Sequence, residues 1–222
     1  MTDLVGASPG ADLPRDGRPP ELLPFEKVLA SRRMCRDYTG APIDDPVLTQ
    51  VLRAAFRGPA AGNTAALELL VLSDDQVEHY WDVTLPAERR ATFEWPGLLR
   101  APVLVVPVVD PGAYVERYSQ TDKSSTGLGE AEDAWSVPYW YVDGGAGVMA
   151  MLLAAEAEGL GALLFGQFDQ EVAIAETFGV PTGRRALGTV ALGWPAPGGR
   201  SPSSSARRRR PDPADLVHRQ RW

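Results

Sequence analysis

Three arginines fall within five positions, Arg32, Arg33 and Arg36, in the turn Ser31-Arg32-Arg33-Met34-Cys35-Arg36. Each planar guanidinium offers parallel N–H donors to two oxygens of one phosphate or carboxylate. At the end of a helix such a turn can gather several donors on one anion. Spacing alone leaves two readings open, an anion cradle and a solvated basic surface. A second candidate is the small-residue stretch Pro59-Ala60-Ala61-Gly62-Asn63-Thr64-Ala65-Ala66. Its side chains let a flat ring approach the backbone, and the Asn63 amide can donate or accept. A third runs from Gly159-Leu160-Gly161-Ala162 to Phe165-Gly166-Gln167-Phe168-Asp169, where Gly166 allows a backbone N–H to face a ligand. The fourth is Arg207 to Arg210, a basic run followed by an ending that contains Leu216, Val217 and Trp222. By itself the run is a solvated tail or a weak polyanion contact; the apolar residues after it suggest a docked arm.

The elements that must position these groups are legible. A first helix is predicted over residues 24–30, with Phe25, Val28 and Leu29 on one face, ending in the basic turn. A second begins at Asp44 and Asp45, which can cap it. Pro46 suits its first turn, and Val47, Leu48, Val51, Leu52 and Ala55 follow helical spacing. Apolar runs at 67–72, 103–109, 162–165 and 187–192 read as strands of a sheet covered on both faces. A long helix over about 141–158 is dense in Gly, Ala, Met and Leu. Its glycines cost about 1 kcal/mol each relative to alanine but permit close backbone approach, at a dimer seam or in tight packing within the chain. Gly159 and Gly161 turn that helix into a strand, and Asp169 is placed to cap the helix that follows. Residues 110–136 are polar and have the composition of a lid, with Tyr114, Arg117, Tyr118 and Lys123 as candidate substrate contacts. Residues 1–20 read as a flexible Pro/Gly/Asp-rich leader.

Composition narrows the class. With 22 basic and 29 acidic residues the net charge is −7, which argues against general nucleic-acid binding. One cysteine, Cys35, excludes an internal disulfide framework and fits a reducing, cytoplasmic setting. Two distant histidines, His79 and His218, give no metal-ligand spacing, so no metal site is expected. No nucleophile-elbow pattern is present, and no transmembrane span or signal peptide is read.

Taken in order, these motifs resemble the FMN-dependent nitroreductase family, over roughly residues 22–222. Arg32-Arg33-Met34-Cys35-Arg36-Asp37-Tyr38 is similar to that family's opening Arg-Arg-Ser-x-Arg-x-Phe turn. Pro59-Ala60-Ala61-Gly62-Asn63-Thr64-Ala65 matches its Pro-Ser-x-x-Asn-x-Gln loop. Gly159-Leu160-Gly161 and Gly166-Gln167-Phe168-Asp169 match its Gly-Leu-Gly turn and its Gly-Gly-Phe-Asp strand end. Gly193-Trp194-Pro195, the run Arg207-Arg208-Arg209-Arg210-Pro211 and Trp222 match its close.

The resemblance implies an α+β fold, a central, mostly antiparallel mixed sheet flanked by helices, in an intertwined homodimer with FMN sites shared between subunits. A domain over 21–206 would be completed by a C-terminal arm, 207–222. Carried over by position, Arg32, Arg33, Met34 and Arg36 would surround the phosphate and ribityl groups, with Arg207 and Arg209 closing on the phosphate. Pro59, Ala60, Ala61 and Asn63 would line the isoalloxazine from the other subunit. Backbone around Leu164, Phe165, Gly166 and Gln167 would face its N5 and O4. The flavin carries the chemistry, so no catalytic side chain is named. The implied activity is ping-pong hydride transfer from NAD(P)H to a small electron-poor molecule, a nitroaromatic or quinone.

The chain departs from the pattern at Met34, at Ala60 or Ala61, and at Ala65, each of which replaces a polar side chain. The alternatives are a flavin-dependent dehydrogenase, a flavin-fragmenting enzyme similar to the cobalamin lower-ligand synthase, or a non-catalytic flavin-binding protein.

Overall fold

The structure, a computed structural model, describes residues 24–200, 208–209 and 211–222. The expected leader and Arg207 lie outside them. Strand β2 (Val103–Val109) is buried along its whole length, as its unbroken apolar run requires of a strand covered on both faces. It pairs antiparallel with β1 (Leu67–Ser73) on one side and with β5 (Thr189–Gly193) and the short β4 (Arg185–Ala186) on the other. The edge strand β3 (Gly161–Phe165) pairs antiparallel with β5. Pro107, which has no N–H to give a ladder, sits where β2 passes from β5, paired through Val105, to β4, paired from Val108.

Side chains alternate faithfully across this sheet. Val103, Val105, Val190, Leu192 and Ala162 point into one cluster, with Val51 of α2 (Asp45–Ala54) and Val148, Met151 and Leu152 of α6 (Tyr139–Ala157). Leu104, Val106, Val108, Ala191 and Leu163 point into another, with Val77, Tyr80 and Trp81 of α3 (Asp75–Thr84) and Ile174 of α7 (Glu171–Phe178). The result is a sheet between two helical layers, each fully buried aliphatic side chain stabilising it by about 1.5–3 kcal/mol. Among the described residues no helix is long and apolar enough to cross a membrane.

Helix α6 shows why its glycines are tolerated. A Cβ on Gly147 would stand 2.5 Å from the Ala55 carbonyl oxygen and 2.6 Å from Leu67, so close approach to α2 and β1 requires glycine there. A Cβ on Gly145 would meet nothing. Gly145 lies with exposed Tyr141, Val142 and Met149, and Tyr141, Gly145 and Met149 follow four-residue spacing along one side of the helix. Among the described residues nothing covers this apolar outer face.

Three expectations change. Asp169 does not cap α7: it lies in a 3-10 turn, Phe168–Gln170, and α7 begins at Glu171 without a side-chain cap. Asp44 likewise makes no capping bond, although Asp45 places a carboxylate in the first turn of α2, where the helix dipole favours it. Residues 110–136 are not a loose cover. They form α5 (Pro111–Ser119) and short turns around a buried aromatic cluster in which Tyr114 meets Trp135 and Trp140 at 5.6 and 6.0 Å. Among the described residues of the C-terminal arm, Leu216, Val217 and Trp222 are exposed.

Candidate functional site

Helix α1 (Phe25–Ser31) stops at Arg32, whose backbone N–H still donates to Val28. The chain then runs beside the edge strand. Met34 forms a parallel bridge with Ala162, and the Cys35 N–H donates to the Ala162 carbonyl at 2.9 Å. The basic turn is thereby fixed alongside β3, whose far end carries Gly166. Within the turn the side chains divide. Arg33 is exposed and folds back on the Ala30 and Arg32 carbonyls, satisfying orphan acceptors at the helix end. Met34 packs against both hydrophobic clusters. Arg36 holds its guanidinium 5.1 Å from the centre of the Trp95 ring, a cation–π contact. Arg32 is half-buried, and its Nη1 is buried with no hydrogen-bond partner among the described residues. An unpaired buried guanidinium nitrogen costs a few kcal/mol, which an anion would relieve.

A cavity of about 500 Å³ opens between the end of β3 and α3. Arg36, Trp95, Leu164, Phe165, Gly166 and Gln167 all line it, so the structure brings one arginine of the turn together with the whole expected strand end. Trp81 stacks on Phe165 in its wall, with ring centres 5.8 Å apart. The ring of Phe168, 88% exposed and held at a φ of 51°, lies over Gly166, where a Cβ would come within 3.0 Å of it. Non-glycine residues adopt that conformation at some cost and cluster at functional sites.

At the base of the cavity the Tyr80 hydroxyl and Thr189 Oγ1 share a hydrogen bond of 2.7 Å. Burial pushes the Tyr80 phenol up from 10.0 to about 12, against a smaller downward pull from Thr189. The raised value means that the neutral phenol is favoured in the folded state. Its contribution to stability is intact below pH 10 and is lost as pH rises through about 12, an effect on the order of 2–3 kcal/mol. Unfolding followed across pH 9 to 12 should therefore show falling stability, a slope that Tyr80→Phe reduces.

A second cavity, about 370 Å³, is lined by Pro59, Ala60, Asn63, Tyr114 and Asp143 and shares no lining residue with the first. The loop above it turns through Gly62 and Asn63 at φ of 65° and 55°. Asp143 Oδ2 accepts from the Ala61 N–H at 2.6 Å and from the Tyr114 hydroxyl at 2.8 Å. Burial, and then the bond to Asp143, hold the Tyr114 phenol well above its ordinary range. Arg117 donates to the Gly62 carbonyl at 2.8 Å and pairs both arms with Asp122. A Cβ on Gly62 would lie 2.8 Å from the Tyr118 ring, over which Lys123 holds its ammonium at 5.7 Å. Of the four residues expected to meet substrate, Arg117 and Tyr118 touch the Asn63 loop and Tyr114 shares the Asp143 carboxylate with it, while Lys123 lies over Tyr118 and Asn63 itself is exposed. Sequence reasoning missed Asp143, which lies in the long Gly- and Ala-rich helix α6. The usable signal was a lone carboxylate early in an otherwise apolar helix. Arg209 is exposed on the C-terminal arm, and Arg207 lies outside the described residues.

Residues 29–194 match the model of the Nitroreductase family. A Thermus thermophilus protein named NADH dehydrogenase is 30% identical over 193 residues, covering 79% of this chain and 88% of the relative. Among solved structures, nitroreductase CinD from Lactococcus lactis, determined with chloramphenicol, superposes with a TM-score of 0.67 at 20% identity, covering 88% of this chain and 98% of that one. An FMN-dependent nitroreductase from Clostridium difficile gives 0.61 at 18% identity, covering 88% and 98%. The chain belongs to the Nitroreductase family. It is an oxidoreductase, and its mixed α+β fold is the one that those structures share.

Proposed function

We propose that the chain binds FMN and uses NADH or NADPH to reduce a small, flat, electron-poor acceptor, a quinone or nitroaromatic, in two alternating half-reactions. The observation that carries this reading is the buried, partnerless Nη1 of Arg32 in a turn fixed beside the strand that leads to the aromatic cavity at Gly166. A phosphate-bearing heteroaromatic fits that set: an anion for Arg32, and for the ring an apolar cavity of the usual size for a cofactor. The bound flavin supplies the hydride exchange itself.

The protein's part is to bind, orient and exclude water. Arg32, joined by Arg207 and Arg209 from the arm, holds the phosphate. Arg36 places positive charge at the cavity, and the backbone from Leu164 to Gln167 faces the ring. Arg33 and Met34 serve by fixing the turn. Pro59, Ala60, Ala61 and Asn63 serve the site of a second copy, since within one chain they belong to a separate cavity. The unpartnered outer face of α6, at Tyr141, Val142, Gly145 and Met149, and the exposed apolar end of the arm support that homodimer. The helix carrying Tyr114, Arg117 and Tyr118 acts on substrate through the loop it braces.

Anaerobic addition of NADH or NADPH to the flavin-loaded protein should bleach its visible absorbance, and a quinone should restore it. Flavin that stays oxidised with both nucleotides contradicts the reductase reading and favours a storage role.

A further inference from the structure

Gln167 carries a hydrogen-bonding group that the fold leaves unused. The residue is 7% exposed, and its Nε2 donates to Thr189 Oγ1 at 2.9 Å and to the Gly188 carbonyl at 3.4 Å. Thr189 is tied in turn to Tyr80. The amide cannot be turned over without setting its oxygen against the Gly188 carbonyl, so the nitrogen is anchored and Oε1 is left as an acceptor. Oε1 is buried and has no partner among the described residues, and Gln167 lines the aromatic cavity. A fixed, buried acceptor beside a cavity calls for a donor from whatever fills it.

We propose that Gln167 Oε1 accepts a hydrogen bond from the imide N–H of the bound flavin's pyrimidine ring; the proposal rests on the flavin reading above. An oxidised isoalloxazine has a single ring N–H. Its other polar ring atoms are acceptors, which Oε1 would repel. The walls formed by Trp81, Phe165 and Trp95 suit a ring better than the ribityl chain, whose hydroxyls are the cofactor's other donors. Gln167 is then a positioning residue that fixes the ring's orientation by recognising one edge of it.

The test compares FMN with FMN methylated at the imide nitrogen, by quenching of flavin fluorescence, in the wild type and in Gln167→Leu. The wild type should bind the methylated cofactor about tenfold more weakly or worse, the scale of one lost hydrogen bond. Gln167→Leu should bind FMN about tenfold more weakly than the wild type and no longer distinguish the two. Equal affinities in the wild type overturn the proposal even if the variant fails to fold, because a ribityl hydroxyl or a water then satisfies Oε1. Undiminished discrimination in Gln167→Leu also overturns it, by assigning the recognition to another group. Wild-type protein that binds neither flavin removes the flavin reading itself, and the proposal falls with it.

Discussion

Arg32→Ala protein is expected to fold with at least wild-type stability, since the cost of the unpaired buried nitrogen goes with the side chain, and to purify largely colourless even when FMN is supplied throughout. The wild-type guanidinium has a buried nitrogen with no partner among the described residues, so no hydrogen bond described at Nη1 is lost when it is removed. A phosphate would lose one or two charge-assisted bonds, each worth about 1.5–3 kcal/mol. The FMN dissociation constant should therefore rise by about tenfold for the loss of one weak bond to about ten-thousandfold for the loss of two strong ones. Arg32→Lys keeps the charge but not the two-pronged geometry and should fall between. Arg209→Ala should also lose flavin if the arm closes on the same phosphate. Full flavin occupancy in both alanine variants would refute the phosphate clamp.

Most of the framework was legible from periodicity. The strands at 67–73 and 103–109 fall within a few residues of their apolar runs, α2 of its helical spacing and α6 of its stretch dense in Gly, Ala, Met and Leu, because burial leaves few other solutions for such segments. Site chemistry was legible only in part, because side-chain direction is decided by tertiary contacts. Arg32, Arg33 and Arg36 look alike in sequence. The bridge of Met34 to Ala162 sends Arg33 back onto its own helix and brings Arg36 into the aromatic cavity. Tyr114 and Arg117 read as polar lid residues because nothing local reveals the Asp143 carboxylate or the Gly62 carbonyl that they meet across the fold. Gln167 stood in the sequence as part of a backbone motif. Its side chain gained a role only through Thr189 and Tyr80, far away in the chain.

The second large effect is expected at Asp143. One carboxylate oxygen holds both the Ala61 N–H and the Tyr114 hydroxyl, at 2.6 and 2.8 Å. Asp143→Ala removes both bonds and leaves two enclosed donors without an acceptor, a cost of about 2–4 kcal/mol. For a chain of this length that lowers the melting temperature by about 5–12 °C. Asp143→Asn keeps an oxygen acceptor at weaker strength and should lose less than half as much. Tyr114→Phe removes one donor together with its need for a partner and should be the mildest of the three. Denaturant unfolding measures these differences. An Asp143→Ala midpoint equal to wild type would show that the loop is held without the Asp143 carboxylate. If the loop serves the second copy's flavin, Asp143→Ala should also release FMN faster on dilution, as a rise in flavin fluorescence.

The central claim, that this chain holds FMN through the basic turn and the cavity at Gly166, is tested most directly by the visible spectrum and flavin content of wild-type protein incubated with FMN and freed of excess by gel filtration. The account predicts the two-banded absorbance of oxidised flavin, about one FMN per chain, eluting with a dimer. Colourless protein of native fold after that treatment would contradict it.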